Sequence, residues 1–168
     1  AYVLDVRRDG DASWRPIVTG KDRLTATSWE WNTETFPDGW YRMRVTSSDA
    51  GANAADRALT SSKTTALFVI DNQRPTIEGL RVSYASGAGG KATARATDTL
   101  TSLTELAYSI DDGAWQLGSV DDGLLDDPTE ALTIALPPGL AAGTHTLALR
   151  VADGAGNVGA TSISFLVK

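Results

Sequence analysis

One stretch of this chain occurs twice. "RVADGAGN" runs from Arg150 to Asn157, and a looser copy, "RVTSSDAGAN", runs from Arg44 to Asn53. When Asp49 is set on Asp153, Tyr41, Met43 and Val45 fall on His145, Leu147 and Leu149, Gly39 falls on Gly143, and Asn53 falls on Asn157. Alternate residues of a strand share one face, so each copy predicts a long strand with one buried row, and Arg42, Arg44 and Thr46 point the other way in the first copy. Upstream, "VLDVRRDGDASWRPI" matches "LAYSIDDGAWQLG", an alternating strand and an Asp-Gly turn followed by Trp14 or Trp115. Downstream, "TALFVID" matches "SISFLVK" and sets Phe68 over Phe165. A repeat with this content restricts the chain to a duplicated β architecture.

The rest of the sequence agrees with strands. Val, Ile, Thr, Tyr and Phe stand in short alternating runs separated by Gly, Asp, Asn and Pro, and no window keeps a helical period. The Ala-rich "AGANAADRAL" at 50–59 has no apolar stripe and reads as a loop. The second repeat has two further strands in front, "TIEGLRVSYA" and "GKATARATD". That makes about seven short strands with regular turn signals, the cue for an immunoglobulin-like sandwich. The first repeat lacks both. The expectation is all-β: two tandem immunoglobulin-like β-sandwiches, residues 1–71 a partial one without its first two strands and 72–168 a complete seven-stranded one. Between them "FVIDNQRPTIEGL" holds Pro75, which favours a short, stiff, extended crossing. The incomplete first sandwich also leaves a sheet edge open to association with another chain.

Charge and composition remove several functions. The net charge is −6 and the pI about 4.7, the opposite of a nucleic-acid footprint. There is no cysteine, hence no disulfide, thiolate nucleophile or Cys-bound zinc. No apolar run approaches the roughly 20 residues of a membrane helix, so membrane insertion is not expected. His145 is the only histidine and stands where the other repeat has Tyr41, at a corner that in immunoglobulin-like folds ties a side chain back to the main chain. No Ser motif accompanies it, so no triad is indicated. The acid pairs Asp111-Asp112, Asp121-Asp122 and Asp126-Asp127, the first two beside Gly in turn-like contexts, are adjacent residues, not two acids facing across a cleft. "ASGAGGKA" at 85–92 has no Gly-Lys-Ser/Thr and reads as a hairpin loop. The chain is therefore read as a non-enzyme.

Two candidate sites remain. Calcium suits hard oxygen ligands on irregular backbone, and residues 111–130 offer seven carboxylates in twenty positions. Together with the linker and the repeated loop, this nominates Asp71, Asn72, Asp111, Asp112 and Asp153 as metal ligands, calcium being the one cofactor to consider. The competing reading is that Asp49, Asp153, Asn53 and Asn157 cap the amides of their own loops. Four of the five tryptophans lie in the first forty residues. Trp29 and Trp31, two apart, would share one strand face, and with Trp40 they nominate a sugar-stacking surface. Core packing competes with that reading, and Trp14 and Trp115 look architectural because they repeat.

The string "WEWNTETFPDGWYRMRVTSSDA", followed after a loop by "ALFVIDNQRPTI", resembles the immunoglobulin-like or fibronectin type III-like domains found late in large exported bacterial proteins, often behind β-propeller modules. The shared elements are Trp31 and Thr33, the turn from Pro37 to Tyr41, Ser48 and Asp49, and the linker residues Asp71, Asn72 and Pro75. "RVADGAGNVG" is similar to the Asp-x-Ala-Gly-Asn turn of immunoglobulin-like repeats in bacterial surface adhesins. The linker "DNQRP" also resembles the calcium-binding junctions of cadherin-like repeats, although the paired acidic motifs of those junctions are absent. The resemblance covers most of both repeats. It implies a spacer or interaction module, extracellular, periplasmic or at the cell surface, with a protein or polysaccharide partner, and as its alternative a carbohydrate-binding accessory module.

Overall fold

The computed structural model describes residues 1–18, 24–54, 56–120 and 123–168, and there the protein is all-β. Asp121-Asp122 lies outside the described residues. The chain divides into two compact units, Ala1–Ile70 and Asp71–Lys168. The division falls one residue before the boundary read from the sequence, because Asp71 makes its hydrogen bonds inside the second unit.

The first unit holds β1 (Tyr2–Arg8), β2 (Arg15–Val18), β3 (Gly39–Ser48), β4 (Thr60–Thr64) and β5 (Phe68–Ile70) in one antiparallel sheet. The order is β2-β1-β3-β4, and β5 also pairs with β3. The last strand predicted from "TALFVID" is thus only half of an edge. Residues Arg44 to Ser48 of β3 face β4, and Gly39 to Tyr41 face β5. Between these stretches Thr65 turns its hydroxyl to the Met43 amide while its own amide donates to the Met43 carbonyl. That exchange interrupts the ladder for a few residues in the manner of a bulge. Val6, Tyr41 and Ile70 are buried, with Ile17, Trp31, Phe36 and Phe68 packed against them.

The second unit is a sandwich of two four-stranded antiparallel sheets. β6 (Thr76–Ala85), β7 (Gly89–Thr97), β11 (Thr129–Leu136) and β10 (Ser119–Val120) form one. β9 (Gln116–Leu117), β8 (Leu103–Ile110), β12 (Gly143–Asp153) and β13 (Val158–Val167) form the other. Labelled along the chain, these are the A-B-E-D and C-F-G sheets of an immunoglobulin-type sandwich with one short extra strand beside C. Period-two alternation puts Leu147, Leu149 and Val151 of β12 against Leu132, Ile134 and Leu136 of β11, and the three β12 residues have no exposed surface. Burying one such side chain is worth about 1.5–3 kcal/mol, so this double row is a large part of what holds the unit together, with Leu103 and Leu106 of β8 in the same core.

The repeat is visible in the strand register. Tyr41 pairs with Phe68 and His145 with Phe165, while Gly39 pairs with Ile70 and Gly143 with Val167. Gly39 and Gly143 share nearly the same φ, 147° and 143°, which a side chain would resist. The two long strands therefore start in the same way.

Candidate functional site

His145 sits at the corner that Tyr41 occupies in the first unit. The Tyr41 hydroxyl donates to the Pro37 carbonyl at 2.6 Å, and His145 Nε2 donates to the Ala141 carbonyl at 2.8 Å, four residues back in both cases. His145 Nδ1 also lies 2.6 Å from Asp111 Oδ2, and Asp111 Oδ1 accepts the Thr146 amide at 2.8 Å. The carbonyl contact and then the carboxylate favour the imidazolium, so the His145 pKa is raised. The Thr146 amide and then His145 hold Asp111 below its ordinary value. The imidazole is bound at both nitrogens and serves as a corner brace.

The tryptophans separate. Residues 25–38 form no strand, because Asn32 Oδ1 accepts the Glu34 amide and the Phe36 amide returns to the Thr33 carbonyl, closing a turn. Trp29 and Trp31 therefore do not share a strand face, contrary to the spacing. Trp31 enters the small core, edge-on to Phe36 at 4.6 Å and to Phe68 at 6.4 Å between ring centres. Trp29 stays 39% exposed. Both nevertheless line one apolar cavity of about 380 Å³, together with Tyr2, Leu4, Met43 and Val45. Trp40, 47% exposed on β3, is not among the described residues that line it. Trp14 lies under the guanidinium groups of Arg7 and Arg44, and Trp115 under that of Arg150, so both repeated tryptophans cover arginines beside the sheets.

The acidic candidates divide as well. Asp111 and Asp112 occupy a tight turn with positive φ of 50° and 56°. Asp111 is engaged near the start of β12, and Asp153 closes that strand seven residues beyond Thr146, roughly 23 Å away at strand rise. Asp111 and Asp112 therefore lie apart from Asp71 and Asp153. Asn72, next to Asp71, contributes no carboxylate. What the fold does bring together is Asp71, Asp153 and Asp98, the last of which merely ends the strand-like run "GKATARATD" in sequence. One carboxylate oxygen from each lies within 4.8 Å of the others, and all three residues are buried.

Each of these aspartates owes its position to local backbone chemistry. Asp98 follows β7, and its Oδ1 accepts the Leu100 and Thr101 amides at 2.8 and 2.9 Å. Asp153 ends β12, its Oδ1 accepting the Ala155 and Asn157 amides and its Oδ2 the Asn157 side chain. Asp71 accepts the Gln73 amide and the Thr101 hydroxyl, and its carbonyl accepts the Asn157 amide group. Of the expected loop caps, Asp153 caps the amides of its own loop, whereas the Asn157 side chain donates to Asp153 and to the Asp71 carbonyl, and these bonds gather three acids at one point. Burial first, and then the charges of Asp98 and Asp153, raise the Asp71 pKa against the lowering effect of its hydrogen bonds. Two ionised carboxylates about 5 Å apart repel by about 3 kcal/mol at an effective dielectric near 20. Among the described residues no ion pair reaches the group.

No family model matches the chain, and a search of curated proteins returns no match.

Proposed function

We propose that the chain is a non-catalytic spacer and interaction module of a larger exported bacterial protein, working at the cell surface or in the periplasm. The observation that supports this is how each unit threads its chain. In the first unit Tyr2 pairs with Ser47 and Ile70 with Gly39, at opposite ends of β3, roughly 27 Å apart at strand rise. In the second, the incoming Pro75 carbonyl lies against Gly159 at the start of β13, and Lys168 follows the end of that strand, roughly 30 Å on. A unit that admits its chain at one end and releases it at the other holds its neighbours apart. The test is single-molecule extension of the chain held by both termini. A cooperative rupture that lengthens the tether by the roughly 98 residues of the second unit is expected, about 30 nm or more at full extension. Smooth extension without a rupture would overturn the proposal. On the first sheet, Pro16 in β2 and Lys63 in the wholly exposed β4 discourage strand addition, whereas the short β5 beside β3 leaves an edge open to another chain. No helix of the described residues is long and apolar enough to cross a membrane.

A carbohydrate-binding role is the second reading, favoured by the cavity that Trp29 and Trp31 share. Intrinsic fluorescence titrated with soluble polysaccharides would shift in the native chain and not in Trp29→Ala. No shift with any glycan retires that reading.

A further inference from the structure

We propose that Asp71, Asp98 and Asp153 bind a calcium ion within the second unit. A shared calcium at 2.3–2.6 Å from each ligand requires donor oxygens no more than about 5 Å apart, and the three carboxylates meet that limit. Proximity of acids alone would not carry the assignment. Asp98 Oδ2 does: it is fully buried and has no hydrogen-bond partner, although its twin oxygen accepts two amides and Asp98 keeps only 4% of its surface exposed. A buried carboxylate oxygen without a donor or cation is costly enough that folded proteins seldom retain one. This one belongs to a trio of acids with no lysine, arginine or histidine paired to it among the described residues. A divalent cation removes the repulsion and satisfies the orphan oxygen together.

The donor set selects the ion. It is all oxygen, the chain has no cysteine, and the single histidine is engaged with Asp111 and Ala141, so soft or borderline metals have no preferred ligand here. The oxygens come from three separate segments: the incoming linker, the end of β7 in one sheet and the end of β12 in the other. Calcium accepts such irregular, carboxylate-rich surroundings and fills the rest of its shell with water, whereas magnesium demands a near-ideal octahedron. Amide hydrogen bonds already orient Asp71 and Asp153, and the oxygens they occupy keep lone pairs for a metal. The other acidic trio, Asp126, Asp127 and Glu130, lacks this signature, because Glu130 caps the amides of the two exposed aspartates. Bound calcium would clamp the linker and both sheets at one end of the sandwich.

Calorimetric titration of the chelator-treated full chain with calcium chloride, paired with melting curves, tests the site. One equivalent of calcium should bind and raise the melting temperature of the second unit, because a ligand held only by the folded state stabilises it by mass action. Asp98→Asn keeps the Oδ1 acceptor and removes the charge. It should weaken calcium binding at least tenfold and raise the melting temperature in chelator. No binding at millimolar calcium in the native chain would overturn the site, and that measurement needs no variant to fold. Stabilisation by magnesium chloride but not by calcium would overturn the choice of ion. Calcium binding that survives in Asp98→Asn but disappears in Asp126→Asn/Asp127→Asn would move the site elsewhere and overturn it too. The rupture experiment run in chelator separates this site from the spacer role, since the sandwich core does not depend on the ion.

Discussion

The two units use one long strand in two ways. On β12 the inward row Leu147, Leu149 and Val151 is entirely buried, because β11 and β7 lie across it. On β3 the matching residues Met43, Val45 and Ser47 are only half-buried, and the first unit has a single sheet among its described residues. At the head of β3 Tyr41 is buried, with Trp31, Phe36 and Phe68 packed around it. Strand pairing and turn chemistry are therefore sufficient to set register, while the burial of the same row depends on what lies over it. The aspartates that follow repeat the lesson. Asp153 is buried beside Asp71 and Asp98, whereas Asp49 is half-buried and accepts the Leu59 amide.

The largest expected effect comes from emptying the row. Leu149→Ala should cost about 2–5 kcal/mol, since it removes a wholly buried side chain from a close-packed interior. Val45→Ala, its counterpart, should cost about 1 kcal/mol or less, because part of that side chain already meets solvent. Hydrogen exchange read peptide by peptide reports the units separately, and equal losses in both would break the comparison. Next comes Gly159→Ala. A Cβ there would overlap the Pro75 carbonyl, which is backbone and cannot rotate away. Overpacking of this kind costs about 1–3 kcal/mol, and the loss should appear first in the exchange of the linker and the start of β13.

Much of this was legible in the sequence, and for local reasons. Gly39 and Gly143 mark matching strand starts because their backbone conformation excludes side chains, and the alternation of Leu147 to Val151 declares its buried face directly. The splitting of the first unit's last strand was not legible, since it turns on the Thr65 hydroxyl displacing a ladder contact. The spacing of Trp29 and Trp31 predicted a strand, but the turn around Asn32 prevailed by sending Trp31 into the core. Of the acidic site, Asp71 and Asp153 stood out through their motifs. Asp98 did not, because it looks like any strand-ending aspartate until three distant segments meet, and burial is a property of the assembled sandwich. Its one local trace was "DTLT", an aspartate three residues before a threonine, the spacing at which it caps the Thr101 amide.

A smaller effect separates the two corners. Tyr41→Phe removes one hydroxyl bond to the Pro37 carbonyl and should cost about 1 kcal/mol in the first unit, measured by urea denaturation. That cost should be the same across neutral and mildly acidic pH, since this corner has no imidazole to titrate. At the matching corner the brace is ionic. Because the folded-state pKa of His145 is raised, its contribution is complete below the ordinary histidine value near 6.5 and is lost as pH rises through the raised value. Because that of Asp111 is lowered, its contribution is complete above the ordinary aspartate value near 3.9 and is lost as pH falls through the lowered one. The corner is therefore strongest between these two ordinary values and weakens on either side. A proton NMR titration of the only histidine in the chain reads the first shift directly, and His145→Tyr, which copies the first unit, should remove the alkaline loss. A His145 that titrates at or below the ordinary value would mean that the two corners differ in residue and not in chemistry.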